Sequence, residues 1–548
     1  LTLVIFGQML EAKAHQKTGN AIKELMNLSP KEAHLIQNNV EKNIPISEVK
    51  IGDILKVKPG EKIPVDGEII EGNTTIDESM ITGEPIPAEK KLGDKVTSGT
   101  INGNQVFLMK TEKIGKDTLL SQIIEMVNSA SRSKAPIQKL TDKVSKIFVP
   151  VVMVISVLTF VFWYIFGGEN RAIFALVNAL AVLIVACPCA LGLATPMSVM
   201  VGIGKGARNG ILIKNAEALE EMEKVNVIIT DKTGTLTEGK PSLTQIFSEN
   251  IPENEALQLA ASLNKNSEHP LSQAVLNKAK FFDSAQNDNL KEVKNFENIS
   301  GRGILGEIDG KKLFLGNIHY LKENHFEISE NLLQKAQILE NDANTVSYLT
   351  IYGKAVAVFG FKDKIKENAK SAIKSLQNKG IEIIMMTGDN EATAKHVAES
   401  LGIKKYFANC LPQDKINQVK DLQNQGKIVA MTGDGINDAP ALAQANVGIA
   451  MGTGTDIAMN SAEITLLKGD ISGVAKSKIL SEKMMKNVKE NLFFAFAYNT
   501  LGIPIAAGLL YPIFGVLLSP MFAAAAMSFS SVSVIANSLR LNNVKLKI

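Results

Sequence analysis

Cysteine is almost missing from this chain: 548 residues carry three, Cys187, Cys189 and Cys410. That excludes a disulfide framework. Charge is missing in places rather than throughout. Ile147 to Gly168, Ala172 to Gly204 and Asn491 to Leu539 hold no Asp, Glu, Lys or Arg, although charged residues make up 21% of the whole. The formal net charge is only +3, so no nucleic acid or other polyanion is implied as a partner. An initiator Met and a basic leader are absent too. The chain opens inside the apolar run Leu1-Thr2-Leu3-Val4-Ile5-Phe6 and reads as an excerpt of a longer protein.

What is present begins with those uncharged runs. A bilayer core about 30 Å thick needs about 20 apolar residues as a helix. The first run supplies one crossing, the second more than one straight crossing requires, and the third two crossings that turn at Tyr511-Pro512. Four spans are therefore expected, with a stub from Leu1 to about Leu10. Lysines and an arginine flank them: Lys139, Lys143, Lys146, Lys205, Arg208, Lys483, Lys486 and Lys489. This charge pattern predicts a multi-pass membrane protein with its soluble parts on the cytoplasmic side. Two buried hairpins in a soluble core are the bland alternative, and the length of the last run argues against it.

Two soluble blocks remain. Pro30 to Glu125 has short Val/Ile runs between Gly-containing turns, and predicts a small β-rich domain. Ala216 to Leu480 alternates strands and helices, with strands expected at Val225–Thr230, Ile381–Thr387 and Lys427–Thr432. That is the pattern of a parallel α/β sheet. The stretch from Gly239 to Lys362 interrupts it with its own strand and turn signals, as an inserted domain would.

Three predicted strand ends carry polar loops: Asp231-Lys232-Thr233-Gly234-Thr235-Leu236-Thr237, Thr387-Gly388-Asp389-Asn390, and Thr432-Gly433-Asp434-Gly435-Ile436-Asn437-Asp438. In an open parallel sheet such ends converge on one crevice. Phosphoryl transfer needs a nucleophile, a hard cation and positive charge near the phosphoryl oxygens. Asp231 suits the nucleophile. Asp434, with Asp231 and the Thr233 carbonyl, suits Mg²⁺. Lys415 can neutralise the phosphoryl group. Each Asp alone reads more often as a turn or cap residue, but three at successive strand ends do not.

Together these motifs resemble the P-type ATPases, which store ATP energy as an aspartyl phosphate on the residue matching Asp231. The resemblance covers essentially the whole chain. It implies a multidomain fold: an α-helical transmembrane bundle, a β-rich actuator domain, a haloacid-dehalogenase-like α/β phosphorylation domain and an inserted α+β nucleotide-binding domain. The expected bounds are 1–28 for the end of a truncated membrane helix and linker, 29–126 for the actuator, and 127–215 for a membrane helix pair. They continue with 216–240 and 361–480 for phosphorylation, 241–360 for nucleotide binding, and 481–548 for the last two membrane helices. Thr233, Thr387, Asp389 and Lys415 join the catalytic set, and Asp438 joins the Mg²⁺ set. Thr82-Gly83-Glu84 matches the actuator loop, where Glu84 positions water to hydrolyse the phosphate. Ser267-Glu268-His269-Pro270 and Gly301-Arg302-Gly303 match the nucleotide domain of heavy-metal pumps, with His269 against adenine. Many relatives have a Glu five residues before that His. Here it is Asn264, which keeps an acceptor without charge.

Cys187-Pro188-Cys189 lies inside an uncharged span. A proline there breaks the helix, and unwound backbone opens transport sites at the membrane midplane. Two thiols are soft ligands for Cu(I), Ag(I), Zn(II) or Cd(II). Buried cysteines are often inert packing groups, and the intervening proline favours ligation. The last two spans offer Tyr498, Asn499, Met527, Ser530 and Ser531 but no Asp or Glu. A Zn(II) pump is expected to bring a carboxylate to balance the second charge. The pattern resembles the copper branch, with silver as a second substrate. There, carboxylates matching Glu11 and Asp142 pass the ion inward; a plain interfacial charge explains each equally well. No Cys-x-x-Cys module is present.

The reading is an ATP-driven Cu(I) exporter using ATP and Mg²⁺ in a bacterial plasma membrane, with a copper chaperone as the implied donor. The alternatives are a Zn(II)/Cd(II) pump, a membrane metal sensor with vestigial ATPase modules, and a soluble phosphatase of the same α/β fold.

Overall fold

The computed structural model describes residues 9, 12, 28–38, 40–79, 87–187, 189–265, 267, 270–282, 290–299, 302–342, 344–389, 391–434, 438–452 and 460–546. The chain divides into two compact units. One comprises Leu1–Lys224, Ala462–Lys468 and Lys476–Ile548; the other comprises Val225–Ser461 and Gly469–Ala475.

The first unit opens with the expected β-rich block. Strands between Glu32 and Lys113 form a six-stranded sheet and a smaller three-stranded one. Alternate residues point inward, as a half-buried strand dictates, and Leu55, Ile63, Ile69, Phe107 and Met109 fill the core. The helix Leu119–Arg132 is tied to this sheet by a half-buried carboxylate. Asp66 accepts from the Ser98 amide at 2.8 Å and from the Leu119 amide at 2.6 Å.

The uncharged runs are helical. Helix α1 (Pro136–Phe166) is followed by α2 (Arg171–Val185) and α3 (Cys189–Ala207). Val151, Val154, Val157, Leu158, Phe162 and Ile165 of α1 are exposed, a continuous apolar surface that suits hydrocarbon. The helix breaks between α2 and α3, where the sequence places Pro188. Later, the long helix Ile471–Ala506 runs past the uncharged segment, the short helix Tyr511–Phe514 makes the expected turn, and Pro520–Leu539 returns. Among the described residues, three helical stretches are long and apolar enough to cross a bilayer: Thr141–Phe166, Gly168–Ala207 and Pro520–Asn543. The remaining expected crossing corresponds to the end of Ile471–Ala506, whose uncharged part begins only at Asn491.

The second unit is built on five parallel strands: β1 (Val227–Asp231), β2 (Glu382–Met386), β3 (Lys405–Phe407), β4 (Val429–Gly433) and β5 (Val447–Met451). Their order is β5-β4-β1-β2-β3. Strand β1 is central and fully buried, which is why its sequence is apolar until Asp231. Helix α4 (Pro412–Asn424) packs Val419 and Leu422 into this core. From here α5 denotes Ile471–Ala506 and α6 denotes Pro520–Leu539.

The insertion is a separate six-stranded antiparallel sheet running from Ser242 to Lys362. Helices Glu253–Asn264 and Pro270–Phe282 share one core with it, through Leu257, Leu263, Val275 and Phe359. Helix Glu330–Asn341 shares another, through Leu332, Leu339, Phe314 and Val358. Strand Lys354–Lys362 is buried along nearly its whole length because both faces are covered.

Candidate active site

The three polar loops do converge. Asp231 is the last residue of β1, Thr387 directly follows β2, and Asp434 directly follows β4. Carboxylate oxygens of Asp231, Asp434 and Asp438 lie within 4.8 Å of one another. Lys415, buried on the first turn of α4, lies 2.5 Å from Asp231 Oδ1 and 2.6 Å from Asp438 Oδ1. The turn is fixed by Pro412 at its start and by the Asp414 carboxylate, which accepts from the Leu411 amide at 2.8 Å.

These charges are held away from water. Burial pushes the Asp231 carboxyl up to about 7; Asp438 and Asp434 add to the rise and Lys415 opposes it. Burial also raises Asp434, with Asp438 contributing. Burial works against the charge on Lys415, yet Asp231 and Asp438 outweigh it and hold the ammonium above its usual range. Two lysines, Lys415 and Lys366, facing three carboxylates still leave negative charge uncompensated, and the oxygens are close enough to share one small cation. The donor set therefore fits Mg²⁺, which favours a few carboxylates plus substrate oxygens.

The loop after Asp231 is shaped by contacts that only glycine allows. Gly234 has φ of +69°, and a Cβ there would fall 1.6 Å from Asp434 Oδ2. Lys232 is buried and ion-paired with Asp389. The Thr387 hydroxyl donates to Asp389 Oδ2 at 2.9 Å and accepts from the Asp389 amide at 3.1 Å. The Thr233 side chain is exposed. A cavity of about 700 Å³ opens beside it, lined by Lys232, Thr233, Asp389, Leu271, Phe361 and His396.

Two residues that sequence reasoning missed complete the site. Thr237 Oγ1 donates to Asp363 Oδ2 at 2.6 Å. Lys366 Nζ donates to the carbonyls of Gly234, of Thr235 at 3.2 Å and of Gly469 at 2.6 Å. Burial depresses its basicity. The only sequence signal was Asp363-Lys364-Ile365-Lys366 directly after a strand, which reads as an ordinary charged loop.

The nucleotide candidates are placed in part. Glu268, His269 and Gly301 lie outside the described residues, as do Glu84 and Glu11. Asn264 is buried at the end of its helix and donates to the Ala260 carbonyl at 2.8 Å. Gly303 has φ of +149°, and a Cβ would meet the Leu315 carbonyl at 2.3 Å, so strand packing by itself demands glycine there.

In the helical part, Cys187 is half-buried at the break after α2, its amide donating to the Ile184 carbonyl at 3.3 Å. Cys189 begins α3; its side chain and Pro188 lie outside the described residues. Ser198 of α3 and Ser538 of α6 approach to 3.3 Å. Cys187 and Met527 each lie eleven residues before that contact in sequence. Met527 and Ser531 are buried on α6, and Asn499 is buried on α5. Tyr498 is 42% exposed, turned about 100° from Asn499 around the same helix. Asp142 is exposed on α1, with Lys134 at 4.0 Å.

A family model of haloacid dehalogenase-like hydrolases matches residues 225–446, and one of the P-type ATPase actuator domain matches residues 27–128. The chain is 52% identical to a copper-exporting P-type ATPase of Legionella pneumophila over 546 residues, covering 100% of this chain and 74% of that protein. It is 49% identical to a silver exporting P-type ATPase of Salmonella typhimurium, covering 99% of this chain and 66% of that one. It is 50% identical to a copper-transporting P-type ATPase of Rhizobium leguminosarum, and spans 65% of its length. Among solved structures, a zinc-transporting PIB-type ATPase in the E2.Pi state is similar, with a TM-score of 0.63 at 30% identity over 98% of this chain and 86% of that one.

Proposed function

The chain belongs to the P-type ATPases, in the branch of the copper and silver exporters, and on that premise we propose that it exports monovalent copper across a membrane by cycling an aspartyl phosphate on Asp231. The observation that carries this reading is Asp231 itself: a buried carboxylate at the end of a central strand, bridged by Lys415 to Asp438 and beside Asp434.

Asp231 attacks the terminal phosphoryl of ATP through the oxygen that Lys415 now occupies, forming the Oδ1–P bond as the bond from that phosphorus to the β-phosphate oxygen breaks and ADP leaves. Lys415 then follows the charge onto the phosphoryl group, which keeps positive charge where the transition state needs it. Asp231, Asp434, Asp438 and the Thr233 carbonyl are the groups that would hold Mg²⁺. When bound, that ion neutralises the phosphate oxygens and the carboxylate cluster. Lys232, held by Asp389 and through it by Thr387, borders the cavity through which nucleotide phosphates reach Thr233. The inserted domain carries the nucleotide, with Glu268, His269, Gly301, Gly303 and Asn264 as its contacts. Glu84 is the base for hydrolysis.

Cys187, Cys189 and Met527 hold the ion, with Tyr498, Asn499 and Ser531 around it; Glu11 and Asp142 pass it inward. A copper chaperone delivers it on the cytoplasmic side. Two thiolates and a thioether favour Cu(I) or Ag(I) over Zn(II), and the last spans contain no carboxylate to balance a divalent ion.

The test is acyl-phosphate formation from labelled ATP in membranes carrying the full-length protein, with Cu(I), Ag(I), Zn(II) or no metal. Labelling driven by Cu(I) and Ag(I), and lost in Asp231→Asn and Cys187→Ala, is expected. Labelling driven by Zn(II) overturns the metal assignment and leaves the pump. No labelling with any metal, in folded protein, overturns the pump.

A further inference from the structure

A side-chain amide inside a membrane helix bundle is costly unless something pairs with it, because hydrocarbon offers neither donor nor acceptor. Asn178 of α2 is such an amide. It is 0% exposed, and neither its Oδ1 nor its Nδ2 has a hydrogen-bond partner. It lies on the inward stripe of α2 with Ala175, Ala179, Val182 and Val185, all buried. The hydroxyl of Ser156 on α1 comes to the adjacent residue but donates to the Ala179 carbonyl, at 2.9 Å. Leucine would fill the same space without the polar cost, so packing does not account for an asparagine here.

Its position along the helix is informative. One turn before it, Phe174 packs edge-on with Trp163 and Tyr511, with ring centroids 5.8 and 6.0 Å away. These rings sit where α1 turns into α2 and α5 turns toward α6, the end of the bundle away from the soluble blocks along the chain. Such an aromatic cluster marks a membrane–water boundary. Nine residues after Asn178 comes Cys187, about 13 Å farther along the helix axis. Asn178 therefore lies between the thiols and the aromatic rim. A second buried, unpaired oxygen continues the line inward. Ser530 Oγ on α6 has no partner, and the Ser198–Ser538 contact puts Ser530 level with Ala190, at the helix break.

We infer that Asn178 is an oxygen ligand on the release path, taking the monovalent cation transiently as it leaves the Cys187 and Cys189 thiolates for the aromatic rim. This rests on the pump reading above. An amide oxygen binds a soft cation far more weakly than a thiolate does. That suits a release step, where binding must be strong enough to lower the barrier and weak enough to let the ion go.

The experiment compares wild type, Asn178→Leu and Asn178→Asp in the full-length protein, using Cu(I) as the probe. Phosphoenzyme formation from ATP is measured beside Cu(I) uptake into inside-out vesicles. Asn178→Leu is expected to form Cu(I)-dependent phosphoenzyme as wild type does, while uptake and phosphoenzyme turnover both fall at least about tenfold. Asn178→Asp, which keeps an oxygen at the position, is expected to recover most of the uptake. Uptake at the wild-type rate in Asn178→Leu overturns the inference. So does a loss of phosphoenzyme in that variant, because a release ligand is not needed for loading or folding. A wild type without Cu(I)-dependent phosphoenzyme defeats the pump reading instead, whatever the variants do.

Discussion

In the proposed cycle, Asp231 meets two demands that conflict. A nucleophile must be ionised, yet burial lifts its carboxyl to about 7 without Mg²⁺. The unfolded value is about 3.9. Between those values the folded chain holds a proton that the unfolded chain does not. This group's contribution to stability is therefore largest below about pH 4, and is lost as pH rises through 7. Asp231→Asn removes the slope. In EDTA, the melting temperature of Asp231→Asn relative to wild type should climb from pH 5 to pH 8, and Mg²⁺ should shrink the gap by stabilising wild type. A gap that ignores both pH and Mg²⁺ would show that the cluster is not strained by charge. Lys415→Met tests the same cluster from the other side. Removing one partner of a buried ion pair costs about 3 kcal/mol or more, so denaturant midpoints should fall, most of all at high pH without Mg²⁺. Gly234→Ala puts a Cβ where Asp434 Oδ2 now lies, at a φ that alanine resists. Phosphoenzyme should form only at Mg²⁺ concentrations at least about tenfold higher, a loss of about 1.4 kcal/mol or more in ion binding.

At the scale of elements, the strand ends were legible because a fully buried strand must be apolar along its length, so the first carboxylate after it stands out. Asp231 and Asp434 were found that way. Lys366 and Asp363 were not, because their burial is created by the loop they support and leaves no periodic mark in the sequence. Asp66, which anchors a helix to the β-rich block, was missed for the same reason. The uncharged runs located the apolar helices but not their ends, and among the described residues three stretches, against four expected spans, are long and apolar enough to cross a bilayer. Helix α5 begins at Ile471, far ahead of the uncharged stretch, because a helix that leaves the membrane can continue with charged residues on its wet side. The polar residues inside the bundle were the least legible. Asn491 of α5 donates to Ser198 Oγ at 2.9 Å and to Ser538 Oγ at 2.8 Å, and accepts from Asn537 at 3.0 Å. Three helices meet in that one side chain. Asn491→Leu should destabilise the bundle by about 1–2 kcal/mol, since membrane hydrogen bonds are individually modest but here several are lost together. Thermal melts in detergent, compared with Asn324→Leu on an exposed surface, provide the measurement.

For the whole molecule, the proposed pump requires linkage between the Cys187–Cys189 segment and Asp231. A bound ion can promote phosphorylation only if it favours the conformation in which Asp231 reacts with ATP. Inorganic phosphate must then favour the conformation from which the ion has left, since coupling is reciprocal. Removing a thiol should therefore split the two reactions. Cys187→Ser should lose ATP phosphorylation at least tenfold, because the loaded state is no longer populated, at a cost of about 1.4 kcal/mol or more. The same variant should still accept phosphate at Asp231 from inorganic phosphate, at or above the wild-type level, because nothing competes for the unloaded state. Labelling with radioactive phosphate and with ATP on the same membranes distinguishes the cases. Loss of both reactions would mean that Cys187 holds the helix break together rather than the ion. Retention of both would mean that Cys187 does not bias the equilibrium on which Asp231 reacts.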